Sequence, residues 1–413
     1  MKLYPFPKTR ANGILFGLFF AALLLLCRDS LITSCVVGFT RSQLLVGLLL
    51  LMCAGVFLIG NRRQWKQILL DRRAGFFALS ALFLLGVMAL KGDWQMMYFS
   101  VLMCLFAGVL LSYFVTLEQV ARYFVCTMLF LGIYSLLTTY GTRFLAERGL
   151  LPVPQLENAA GVALYNYGIS FSGVTEYKNR AFSIFREPGV YQYFIMLALV
   201  LNNYLISWQK PWQMWTVNGI FAAMMVSTLA TGGYVELAIF GLILFVDKKL
   251  YRNRYAVIAA LTLVGAAAVV VIWAYLRQNM LWWEIYAMTV SKFAEGETSG
   301  SDRIQSIVLN LNCFLQNPVL GGTIRQVLHA IAHNTSSTTI LFAVFGLVGG
   351  LYHLAGWLAL VWQKGKPFVS LGLLLVMGMA FNTQNLIADV FFWLFPTMAL
   401  VQWLGRWPGK EKT

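Results

Sequence analysis

From position 74 to position 90 the chain reads AGFFALSALFLLGVMAL, an unbroken apolar run bounded by Arg72-Arg73 before it and Lys91 after it. Polar and apolar residues do not alternate, so the run is not a strand of a membrane barrel. As a helix of about 20 residues it crosses a hydrocarbon core of roughly 30 Å. Similar runs recur from Gly13 almost to the C-terminus. Hydrophobic residues make up 59% of the 413 positions and charged residues only 11%, too few to clothe a soluble domain. The fold class is therefore an all-α integral membrane protein, a single polytopic domain over residues 1–413.

Helices are expected at about 13–31, 44–60, 74–91, 96–116, 123–141, 189–207, 214–230, 233–247, 255–276, 337–362, 368–384 and 388–404. About twelve spans place both termini on one side. Thr231-Gly232-Gly233 leaves open a single broken or re-entrant segment in place of the seventh and eighth. Lys2, Lys8 and Arg10 precede the first run, but Cys27-Arg28-Asp29 is a poor cleavage site, so that run is expected to stay as the first helix. Basic residues gather in short loops: Arg62, Arg63, Lys66, Arg72 and Arg73 in one, Lys248, Lys249, Arg252 and Arg254 in another. The positive-inside rule makes those loops, and both termini, cytoplasmic.

Topology accounts for most of the net charge of +15. No basic block is interleaved with aromatics, so nucleic acid is not the expected partner. Cys27, Cys53, Cys104 and Cys126 lie in or beside apolar runs without metal-ligand spacing and read as small buried hydrophobes.

Two long segments, 142–188 and 277–336, then fall on the outer face, where long structured loops usually carry function. In the second, Trp282-Trp283 reads as an interfacial pair, residues 296–300 as a turn, and Ser301 or Asp302 as the cap of a helix beginning at Arg303. Ile304, Ile307, Val308, Leu311, Phe314 and Leu315 recur at three and four, so this helix is amphipathic and lies on the membrane or packs on the bundle. Asn317-Pro318 ends it.

Arg180, Arg186, Arg303 and His333 stand in these outer segments, where membrane proteins usually avoid positive charge. Permanently charged guanidinium forks around one pocket suit a diphosphate, and a histidine adds a proton acceptor near neutral pH. The plainer reading is that boundary arginines snorkel to lipid phosphates, that His333 caps a helix and that Glu187 is a local partner of Arg186. His353, inside an apolar run, is structural or functional on equal grounds. His329 and His333 are spaced to share a helix face, but no third ligand stands nearby, so no metal is expected.

In chain order these residues fall into a pattern: Arg180, Phe185-Arg186-Glu187-Pro188-Gly189-Val190-Tyr191, Gly300-Ser301-Asp302-Arg303, Asn317-Pro318-Val319-Leu320-Gly321, His333-Asn334 and Gly346-Leu347-Val348-Gly349. The pattern, over residues 179–350, resembles the O-antigen polymerase and O-antigen ligase superfamily. The resemblance implies a metal- and cofactor-independent glycosyltransferase of the bacterial cytoplasmic membrane, acting at the outer face on oligosaccharides carried by undecaprenyl diphosphate. It implies that Arg180 and Arg303 contact the diphosphate and that His333 is the catalytic base. Arg186, Glu187 and Asn334 are then substrate-binding neighbours. The Glu187-Pro188-Gly189 turn resembles the polymerases more than the ligases, and the spacing from Asn334 to Gly346 is about two residues longer than in ligases, roughly half a helical turn.

The expected reaction is polymerisation of polysaccharide repeat units onto a lipid-linked acceptor, with flippase and chain-length proteins as candidate partners. A ligase transferring finished glycan is the alternative. A lipid-linked oligosaccharide flippase is the alternative of another class, but its basic residues should line a cavity within the helices, and the spans here are nearly free of Lys and Arg.

Overall fold

A computed structural model describes residues 10–60, 62, 65–158, 161–175, 177–279, 282–283, 286, 298–328, 334–382 and 384–405. Each of the twelve expected stretches contains a helix. They form α1 (Arg10–Leu25), α2 (Phe39–Gly60), α3 (Arg72–Lys91), α4 (Met96–Phe114), α5 (Leu117–Leu136), α6 (Pro188–Tyr204), α7 (Pro211–Ser227), α8 (Thr231–Asp247) and α9 (Arg254–Arg277). After α10 (Thr298–Gln316), which lies in the second long segment, come α11 (Ser337–Val361), α12 (Pro367–Phe381) and α13 (Val390–Gly405). Among the described residues, six helices are long and apolar enough to cross a membrane: α2, α3, α4, the run from α5 to Glu147, α9 and α11.

Length and composition do not reveal which helices are central. Every side chain of α6 from Val190 to Asn203 is buried, whereas Ala274 is the buried apolar residue of α9, whose Val264, Val269 and Ile272 face outward. An apolar surface of that extent is stable only against lipid or another protein. The core forms where α6 and α13 meet α4, α5 and α11, with Phe124, Phe185, Phe194 and Phe391 in mutual ring contact.

Three expectations are corrected. The all-α class holds for the bundle, but the first long segment also carries a three-stranded antiparallel sheet, β1 (Gln155–Glu157), β2 (Ala163–Asn166) and β3 (Phe171–Gly173). Strands of three and four residues are too short to leave a periodic signal. Helical structure continues beyond α5 through a π-turn (Leu137–Thr142) and Arg143–Glu147, so the first long segment begins helical. As expected, α7 and α8 are two helices, separated by a turn in which Leu229 adopts a φ of 49°. α10 starts at Thr298, so Ser301 and Asp302 lie inside it and are not its caps.

α10 is amphipathic, as expected. Ser306 and Asn310 are buried on the side that packs against α11, while Ile304, Val308, Leu311 and Leu315 are exposed. Of the four cysteines read as buried, Cys27 and Cys104 are buried, Cys53 is partly so and Cys126 is exposed.

The turn after α10 is inserted into a break in α11. Gly346 has a φ of 63°, and a Cβ there would collide with the Val319 carbonyl. The broken helical bond is replaced twice over: Leu347 N–H donates to Pro318 O at 2.8 Å and Gly322 N–H to Ala343 O at 2.7 Å. The Lys91 ammonium, at the end of α3, donates to the Gly322 and Val344 carbonyls at 2.8 and 2.6 Å. Asp93 accepts from the Ile324 N–H at 2.7 Å. Buried carbonyls freed by a kink need such donors.

A candidate anion-binding centre at the head of α6

The segment leading into α6 is held by backbone bonds. Phe171 N–H donates to Ser183 O, Leu31 N–H to Ile184 O, Ala181 N–H to Ser227 O and Arg186 N–H to Asp29 O. Phe182, Ile184 and Phe185 are wholly buried. Phe185 stacks on Phe194 at 4.2 Å between ring centroids. With these apolar side chains drawn inward, Arg180 and Arg186 are left at the margin. Pro188 then opens α6 without loss of a needed donor. Gly189 lets Gln384 approach, since a Cβ would come within 2.6 Å of its Nε2.

The two arginines differ in how their charge is met. Arg186 Nε lies 2.9 Å from Asp29 Oδ1 and 3.7 Å from Glu187 Oε1. The Asp29 contact is an ion pair without hydrogen-bond alignment, because the buried Nε–H has no acceptor. The rest of the side chain is 39% accessible, and Nη2 donates to Gln384 Oε1 at 3.3 Å. Burial would lower the pKa of Arg186, but Asp29, Glu187 and Asp389 outweigh it and raise it. Arg180 donates from Nε to the Thr228 carbonyl at 2.9 Å and sits 5.4 Å over the Tyr177 ring. Among the described residues it has no carboxylate within ion-pair distance. Burial lowers its pKa despite the influence of Tyr177, Glu187 and Tyr234. Among the described residues it is a half-buried cation without an ion-pair partner.

The two long segments meet through the connection between α12 and α13. Ser337 Oγ donates to the Gln384 carbonyl and accepts from the Leu386 N–H. Ser336 Oγ donates to Asn382 Oδ1 at 2.8 Å. Thr339 Oγ1 donates to Ser336 Oγ at 2.7 Å and accepts from Asn310 Nδ2 at 2.9 Å. Asn310 and Asn334 exchange amide hydrogen bonds of 3.0 and 2.8 Å. A continuous polar chain thus runs from Arg186 to Asn334 and α10.

The expected site residues separate accordingly. Arg180, Arg186 and Glu187 are together. Asn334 is tied into the same network, but its amide is occupied by Asn310 and the Val327 carbonyl. Arg303 lies within α10. His333 and His329 lie outside the described residues. His353 is buried among Trp357, Phe381 and Phe392, and the Trp357 indole donates to it at 3.1 Å, which makes it structural. Asp29, Gln384, Asp389 and Asn310 were not anticipated. A polar cluster at Asn382–Asn385 between two apolar runs was the signal available for Gln384.

A cavity of about 320 Å³ lies elsewhere, lined by Phe83, Leu105, Val348 and Trp393. It is apolar and contains neither arginine, so it is not the charged centre. The chain matches no protein-family model, no curated protein and no solved structure. Geometry alone therefore defines the class: a helical bundle of membrane type with a cationic centre at the head of its most buried helix.

Proposed function

We propose that the chain is a membrane-embedded glycosyltransferase that polymerises surface polysaccharide repeat units at the outer face of the bacterial cytoplasmic membrane. The donor is a saccharide on undecaprenyl diphosphate and the acceptor a second lipid-linked oligosaccharide. The observation that carries this reading is Arg180, which among the described residues has no ion-pair partner, standing with Arg186 in the segment that leads into α6. Together they favour a multiply charged anion such as a diphosphate.

Contacts between helix ends fit the alternation of the expected twelve spans. Asp29, Lys91, Arg186, Gln384, Asn334 and the 317–322 turn all fall on one side under that alternation. The Asp247–Lys366 pair, 2.6 Å apart, falls on the other.

In the proposed reaction an acceptor hydroxyl oxygen bonds to the donor's anomeric carbon as the bond from that carbon to the diphosphate oxygen breaks. The departing diphosphate takes the electron pair. Arg180, with Arg186 and Arg303, stabilises the developing charge through preorganised electrostatics. His333 accepts the hydroxyl proton. Glu187 keeps Arg186 oriented, and Asn334 holds the end of the second segment next to His333.

Replacing Arg180, Arg303 or His333 with alanine, one at a time, in a cell that makes the polysaccharide is the test. Single-repeat glycans should accumulate. Normal long chains in all three variants would overturn the assignment. Long glycans stranded on the lipid carrier would point to the ligase, and loss of outer-face lipid-linked repeats to a flippase.

A further inference from the structure

The apolar cavity of about 320 Å³ takes no part in the proposed reaction. Its walls come from four helices: Phe76 and Phe83 of α3, Leu105 of α4, Val348 and Tyr352 of α11, and Trp393 of α13. Phe76 stacks on Tyr352 at 5.6 Å between ring centroids, which ties α3 to α11. The hydroxyls of the lining are engaged within the protein: Ser80 donates to the Phe76 carbonyl at 2.9 Å, and the Tyr352 and Thr397 hydroxyls lie 3.4 Å apart. What the chamber offers a ligand is therefore carbon. Its volume is many times the roughly 10–15 Å³ that one water needs, but an apolar chamber does not hold water.

The lining extends to the surface of the bundle. Leu79 is 69% exposed and Val348 46%, and they belong to α3 and α11, two of the helices long and apolar enough to cross a membrane. A chamber of this size without an occupant forfeits dispersion contacts along its walls. A hydrocarbon chain from the bilayer fits both its chemistry and its position.

The same face of α3 carries a seat for a headgroup. Arg72, Phe76, Leu79 and Phe83 follow one another at four, three and four positions, so they form one stripe of the helix. Arg72 is exposed and, among the described residues, has no ion-pair partner. The adjacent Arg73 is committed elsewhere, paired with Asp71 at 2.9 Å and donating to the Ser112 carbonyl at 3.0 Å. At the far end of α3 the Lys91 ammonium is turned onto the Gly322 and Val344 carbonyls. Of these three cations, Arg72 is the one left for a lipid phosphate, and it stands one helical turn, about 5.4 Å, from the start of the lining.

We propose that the chamber holds one acyl chain of a bilayer phospholipid whose phosphate rests on Arg72. Filling the space between α3 and α11, the chain steadies α3, and with it Lys91, against the broken helix. This lipid is not the sugar donor. α3 has 20 residues, so its ends stand about 30 Å apart, and the alternation of spans puts Lys91, not Arg72, on the side of Arg186. That exclusion rests on the topology of the proposed function; the chamber and the stripe do not.

The experiment is native mass spectrometry of the purified full chain in detergent, with phosphatidylglycerol and undecaprenyl phosphate as probes. The variants are Leu79→Trp and Val348→Trp, which enter the chamber from different walls, Arg72→Gln, and Arg254→Gln at the exposed start of α9; thermal transitions establish that each is folded. Wild-type protein should retain one phosphatidylglycerol that undecaprenyl phosphate does not displace. The tryptophan variants should weaken its binding about tenfold, as excluding one or two methylenes would. Arg72→Gln should weaken it about fivefold, the scale for one basic residue at a lipid surface, and Arg254→Gln should leave it unchanged. Unaltered retention in both tryptophan variants would overturn the chamber as the site, and equal weakening by Arg72→Gln and Arg254→Gln would overturn the headgroup seat. Displacement by undecaprenyl phosphate would assign the chamber to an isoprenoid tail and overturn the phospholipid. Binding is read without polymer formation, so a protein that retains the phospholipid but makes no polymer supports this site and sinks the polymerase reading alone.

Discussion

The two long segments are fastened to the bundle by opposite means. The first is held by buried apolar side chains, with Phe182, Ile184 and Phe185 fully covered and the backbone paired to Ser30–Leu31. The second is held by polar groups: Asn310 to Asn334, Lys91 to the Gly322 carbonyl and to the Val344 carbonyl of the broken α11, and Asp93 to the turn of helix at Ile324. Apolar burial is insensitive to direction, whereas hydrogen bonds fix angles. The first segment can therefore carry an arginine with spare donors, Arg180, while the second spends most of its polar groups on its own placement.

The contrast has a ranked set of consequences. Phe185→Ala removes the side chain beneath Arg186 and should cost about 3–5 kcal/mol of stability, as large core truncations do. Thermal denaturation in detergent would register it, and a shift no larger than that of a surface variant would contradict the apolar fastening. Asn310→Ala strands the buried amide of Asn334 and should cost about 1–3 kcal/mol. The double variant Asn310→Ala/Asn334→Ala should cost less than the sum of the two singles, since each alone leaves the other unpaired. Additive losses would mean that the two amides do not support each other. Ile304→Ala, on the exposed stripe of α10, should change stability in detergent by no more than about 0.5 kcal/mol. A larger loss would place that stripe in a protein contact.

Much of the fold was legible because continuous apolar runs admit only helices in lipid. Centrality was not: α6 and α9 are both apolar all round, and tertiary packing alone makes one a core and the other a rim. Arg180 and Arg186 stood out because positive charge is exceptional in a segment expected on the outer face, and Glu187 because it adjoins Arg186. Asp29 and Asp389 did not, since an acid at the end of an apolar run looks like an ordinary boundary residue. Asn310 was hidden for a related reason: in α10 the apolar stripe drew attention, while the polar face does the packing. The meeting of the two segments depends on Gln384, Ser336 and Ser337, residues far apart in the chain whose pairing no local pattern encodes.

In the proposed reaction, glycan transfer depends on the positive charge of Arg180, which among the described residues has no ion-pair partner. The most direct measurement reconstitutes the full chain in vesicles with purified undecaprenyl-diphosphate-linked repeat units and follows polymer length and carrier release. Wild-type protein should form polymers and release undecaprenyl diphosphate, and Arg180→Ala, folded by its thermal transition, should lose at least about a hundredfold in rate, the scale for one preorganised charge contact. Unchanged polymerisation by the folded Arg180→Ala protein would contradict the account.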